Sequence, residues 1–130
     1  MVEFALTVPI LFTFFFGLIQ VCFACYTRQV ISETAREGTR YAMVHGSTCV
    51  TGNGSSCTAT AAAVTSHIAA NEWPNIGGGT LGIGTTYPDG NENPGSRAQV
   101  NVTYVYPFKI PFIPPSTFTM SSTSVVYIVQ

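Results

Sequence analysis

Between Phe4 and Tyr26 the chain carries no charged residue. An α-helix over that run rises about 34 Å, enough to cross a hydrocarbon core of about 30 Å. The segment therefore predicts a membrane-spanning helix, and the rest of the chain must be built from one end of it. A cleaved secretory signal would place a basic region before a shorter apolar core. This chain starts Met1-Val2-Glu3-Phe4, so the segment is expected to be retained.

Beyond Tyr26 the pattern changes without a break. Gln29, Ser32, Glu33, Arg36, Glu37 and Arg40 fall largely to one side, while Ile31, Ala35, Gly38 and Ala42 recur at helical spacing on another. No Pro or paired Gly interrupts residues 18–44, and Gly46 followed by Ser47 is a plausible stop. One helix over residues 1–46 is expected, apolar all round over 4–26 and amphipathic after that. Glu and Arg at i,i+3 spacing make an ordinary solvated helix face. The alternative for Glu33, Arg36, Glu37 and Arg40 is salt bridging between subunits.

Residues 47–130 read as a small exported α+β domain. Cys49 and Cys57 flank a loop holding Gly52 and Gly54, which could bring the two thiols together as a disulfide in an oxidising compartment. Thr58 to Asn71 is alanine-rich with Ala61, Val64 and Ile68 on one stripe, predicting a second helix capped by Ser56 or Thr58 and ended by Pro74 and the glycines from Gly77. Leu81 to Tyr87 alternates and predicts a strand. Arg97 to Tyr106 alternates more clearly, with Ala98, Val100, Val102, Tyr104 and Tyr106 on one face. Four prolines from Pro107 to Pro115 are expected to form an extended connection, and Phe118 to Val129 a returning strand. Three antiparallel strands on the amphipathic half of the long helix complete the expected fold.

Charged residues are only 8% of the chain and the net charge is −1, against about 25% charged in ordinary soluble domains. No basic cluster supplies the phosphate-neutralising charge that nucleic acid requires, so no nucleic-acid partner is expected. His45 and His67, the two histidines, match no zinc spacing with the cysteines. No nucleophile motif, H-E-x-x-H or phosphate loop occurs; no catalytic residue, metal site or cofactor is expected. Asp89-Gly90-Asn91-Glu92-Asn93 is oxygen-rich but has neither the spacing nor the ligand count of a calcium loop, and reads as a polar turn. The sequons at Asn53 and Asn101 read as chance. Cys22 and Cys25, three apart on a helix, read as small apolar residues.

Glu3 stands out, because an ionisable group at the edge of an apolar helix is costly in lipid and is by default a functional hypothesis. A buried carboxylate there must be protonated or paired. No Lys or Arg precedes Arg28, which leaves an N-terminal ammonium, its own at Met1 or a neighbour's, as the nearby fixed cation. Pro9 removes a helical bond inside the apolar run, so a kink or local unwinding between Ala5 and Pro9 is expected, with neighbouring subunits or a side chain such as Thr7 covering freed carbonyls.

The segment from Val2 to Leu11, with Glu3-Phe4-Ala5 followed by Pro9, and the later run Ala35-Arg36-Glu37-Gly38-Thr39-Arg40-Tyr41-Ala42 together resemble the TadE-like and TadG-like pilins of tight-adherence systems. The likeness covers roughly the first 45 residues closely and the rest loosely. It implies a structural subunit of a type IV-like pilus, a homo-oligomeric helical filament or one shared with other pilins. It also implies passage through the inner membrane, a prepilin peptidase, pilus assembly machinery, and a final place in an extracellular filament. For Glu3 it implies pairing with the α-amino group of a neighbouring subunit. Glu3 stands third where the family's glutamate usually stands fifth, which leaves the mature terminus open.

Arg28, Arg36 and Arg40 lie on the C-terminal side of the apolar run, and a literal positive-inside rule would keep that side in the cytoplasm. The disulfide and the resemblance both point to the reverse, and a basic leader lost on maturation reconciles them. A minor pilin tipping the filament and a single-pass anchored extracellular binding domain are the alternatives.

Overall fold

A computed structural model describes residues 2–70, 78–109 and 114–129. The fold is α+β. Helix α1, Val2–Val44, is followed by α2, Ala61–Ala70, and by three strands, β1 Thr80–Thr86, β2 Arg97–Phe108 and β3 Ser116–Tyr127. The strands form an antiparallel meander in the order β1-β2-β3.

Helix α1 is 43 residues long and rises about 65 Å. Pro9 lies inside it and the helix is unbroken there, so the expected local unwinding does not occur. The Thr7 hydroxyl donates to the Glu3 and Phe4 carbonyls, not to that of Ala5, which is the one a proline at position 9 deprives of its donor. Thr13 donates to the Pro9 carbonyl at 2.8 Å. One lost helical bond is thus tolerated in an otherwise complete ladder.

The core forms where the sheet lies on the second half of α1. Ala98, Val100, Val102, Tyr104 and Tyr106 alternate inward along β2, and Met120 and Ile128 join them from β3 and just beyond it. Helix α1 supplies Thr27, Ile31, Thr34, Ala35, Thr39 and Ala42, and α2 supplies Val64 and Ile68. The three threonines are buried without loss because each hydroxyl donates to a carbonyl one turn back. Gly38 sits at the closest approach: a Cβ there would lie 2.6 Å from Ile68 Cδ1 and 3.1 Å from Val100 Cγ1.

Several element ends differ from expectation. Helix α2 starts at Ala61 rather than Thr58, capped by Thr60, whose hydroxyl accepts from the Ala63 N–H at 3.3 Å. Ala61 is exposed, leaving Val64 and Ile68 as its buried stripe. The expected end at Asn71 and Pro74 lies outside the described residues. Strand β2 runs through Pro107 to Phe108, paired with Thr117 and Ser116 of β3. This is possible because β1 pairs only as far as Val105; past that point β2 is an edge strand, where a missing donor is tolerated. Residues 110–113 of the expected connection lie outside the described residues.

Candidate assembly site

The first half of α1 projects from the sheet. Phe4, Leu6, Ile10, Leu11, Phe14 and Phe15 are all more than half exposed, and no residue of its most apolar stretch is buried. By length and composition it can cross a membrane. Its threonine hydroxyls are satisfied within the helix, Thr7 and Thr13 bonding backward onto it, as a lipid or protein interior requires. Glu3, exposed at the end of this surface, is its one charged group among the described residues before Arg28. Pro9, Ile10, Thr13 and Phe14 line a shallow apolar concavity on its side.

The boundary between bare and covered helix is drawn by Gln20. Its amide donates to the Lys109 carbonyl at 3.0 Å and its oxygen accepts from the Tyr106 hydroxyl at 2.7 Å. The end of the β2–β3 hairpin is thereby tied to α1 within the uncharged run. Residues 20–26, expected to belong to the apolar span, are thus partly overlaid by the sheet, with Ala24 packed against the core.

The family model of TadE-like proteins matches residues 1–40. The match covers α1 to within four residues of its end and stops before α2 and the sheet. Comparisons with curated proteins and with solved structures each returned no match. The likeness to TadE-like proteins therefore rests on the first 40 residues alone.

Within the TadE-like helix, the four charged residues considered for contacts between subunits sit on the solvent side. Arg36 donates to Glu33 at 3.1 Å, both well exposed, a pair contributing a few tenths of a kcal/mol. Glu37 lies 3.9 Å from His67 Nε2 on α2, and Arg40 is exposed. Met1 lies outside the described residues. Cys22 and Cys25 are exposed free thiols.

Beyond the TadE-like segment, Cys49 and Cys57 are disulfide-bonded with Cα atoms 5.2 Å apart. The loop between them is closed further by a Val50–Ser56 bridge. Oxygens of the Asp89–Asn93 turn are taken up by protein donors, Ser47 bonding to the Glu92 carbonyl and the Asn93 side chain. The Asp89 carboxylate takes the Arg97 guanidinium at 2.7 Å and its backbone N–H at 2.8 Å; these bonds hold it down at about 2. Asn91 bonds to Asp89, Asn93 and Ser96.

Two features escaped the sequence. One is the Gln20 clamp: a single amide in an apolar run was the available signal. The other is a ring stack, with Tyr41 between His45 at 4.2 Å and His67 at 4.1 Å. The i,i+4 spacing of Tyr41 and His45 was visible, but His67 arrives only when α2 docks. Nearby, the Tyr87 hydroxyl donates to the Ala59 carbonyl, and burial followed by the Glu92 charge pushes its pKa up to about 12.

Proposed function

We propose that this chain is a structural subunit of a tight-adherence-type pilus, held in the inner membrane by the first half of α1 and then packed into an extracellular filament through the same surface. The observation that carries this reading is a TadE-like helix whose most apolar stretch has no buried residue. Such a surface needs lipid or other subunits around it. The small, sparsely charged, disulfide-closed part then lies outside the cell, delivered there by a prepilin peptidase and the pilus assembly machinery.

Docking follows from charge. In a dry filament core Glu3 must be neutralised, because an isolated buried charge costs several kcal/mol. A neighbour's N-terminal ammonium satisfies it and sets the register between subunits. Glu3→Ala should leave the protein inserted in the membrane with its disulfide formed, yet sharply reduce its recovery in sheared surface filaments identified by mass. Glu33→Ala, on the solvated face, should have a milder effect. Wild-type filament yield from Glu3→Ala would rule out this docking.

A further inference from the structure

The Gln20 clamp fixes the height of the hairpin end along the helix, and that height lies inside the lipid-facing stretch. From Glu3 to Gln20 the helix climbs about 26 Å, less than the roughly 30 Å of a hydrocarbon core. With Glu3 at one headgroup layer, Gln20 falls just short of the opposite one. Whatever is bonded to Gln20 sits at that boundary too. Two groups of the hairpin are bonded to it, the Tyr106 hydroxyl and the Lys109 carbonyl, and they are polar atoms that water would otherwise serve. Supplying an amide to them is what a scarcely hydrated layer demands.

The side chains at this level suit the same layer. Phe118 is opposite Tyr106 in the β2–β3 register, so it lies on the helix side of the sheet. Helix α1 does not cover it, and it remains 61% exposed. Lys109, whose carbonyl accepts from Gln20, is exposed, on a stem that can keep its ammonium among lipid phosphates while its backbone stays at the boundary. It is the sole charged residue from Ala98 to the end of the chain.

From this continuity with the bare helix we infer that the end of the β2–β3 hairpin rests in the outer bilayer interface before assembly, with Phe118 among the acyl-chain ends nearest the headgroups and Lys109 at the phosphates. The head is thereby seated on the membrane at a second point beside its helix. This rests on the membrane-inserted state proposed above and adds a specific depth for the sheet.

The test uses the full chain, reconstituted into vesicles of phosphatidylethanolamine and phosphatidylglycerol, in a Trp73→Phe background that removes the native tryptophan. Phe118→Trp places an indole at the hairpin end, and Phe14→Trp, made separately, places one in mid-span. The Phe118→Trp indole should lose most of its fluorescence to lipid brominated near the headgroup, and little to lipid brominated at the chain end or to aqueous iodide. The Phe14→Trp indole should be quenched by bromine deep in the chains. Iodide quenching of Phe118→Trp with deep-bromine quenching of Phe14→Trp would overturn the seating while leaving the span intact. A Phe118→Trp indole shielded from both quenchers until the protein is diluted into excess lipid would mean that a second copy covers it, which also overturns the inference. No bromine quenching of Phe14→Trp would remove the membrane state itself and the seating with it.

Discussion

The two halves of α1 are both helical and both rich in apolar residues, yet the sheet packs on only one. The difference is size. The first half presents Phe4, Phe12, Phe14, Phe15, Phe16 and Leu18 around the helix, whose bulk holds any partner at a distance. The second half presents Ala35, Gly38, Thr39 and Ala42 as a narrow strip, against which β2 and α2 can close. Long apolar side chains thus leave one half for lipid or neighbouring subunits, and small ones assign the other half to the core.

Gly38 offers the most forceful way to break that contrast. Gly38→Leu puts a bulky side chain where a Cβ alone already meets Ile68 and Val100. It should destabilise the packed half by about 2–3 kcal/mol, seen as an earlier loss of the sheet in thermal unfolding. Gly38→Ala should be nearly neutral. The close atom is the movable end of Ile68, and replacing Gly within a helix returns about 1 kcal/mol.

The disulfide sharpens the same comparison from outside the helix. Cys49→Ser with Cys57→Ser removes a cross-link closing a short loop, worth at most roughly 2–3 kcal/mol on a chain-entropy estimate. The expected loss falls below that limit, because the Val50–Ser56 bridge and the Thr51–Ser55 hydrogen bonds persist without it. Melting of the head with and without reductant measures it, while insertion of the bare half should be unchanged.

Periodicity carried most of the fold because each buried face is local in sequence. Val100, Val102 and Tyr104 alternate, and Ile31, Ala35, Gly38 and Ala42 recur at helical spacing. Element ends were less legible, since they depend on partners. Thr60 caps α2 although Ser56 and Thr58 were equally good caps in isolation. Pro107 stays in a strand because β1 stops at Val105. Of the candidate site, Glu3 and the apolar surface were readable from charge alone. The role of Gln20 was not, because its partners lie 86 and 89 residues away.

Gln20 marks the line between the halves, and its removal should blur that line without unfolding the core. Gln20→Leu strands the Tyr106 hydroxyl and the Lys109 carbonyl, at a cost of about 1–2 kcal/mol. Hydrogen exchange should rise at Tyr106, Phe108 and Lys109 and stay unchanged at Val100 and Val102. Equal acceleration along the whole of β2 would show that the clamp supports the core rather than the boundary.

The smallest expected effect concerns pH, and it should touch only the packed half. Asp89 is held at about 2 against an ordinary 3.8, first by its hydrogen bonds from Arg97. A depressed carboxylate contributes stability that is fully present above its unfolded value and is lost as pH falls through the folded one. The acid arm therefore lies between about pH 4 and pH 2. Tyr87 is shifted the other way, from 10.0 to about 12. Its contribution is fully present below pH 10 and fades as pH rises towards 12. Asp89 is exposed and solvent screens its pair with Arg97, so the acid arm should be the weaker of the two. Asp89→Asn should flatten the acid arm of the head's melting temperature against pH and leave the alkaline arm in place, and Tyr87→Phe should do the reverse. An acid arm that survives Asp89→Asn would assign it to other carboxylates, and would separate the Asp89 turn from the stability of the sheet.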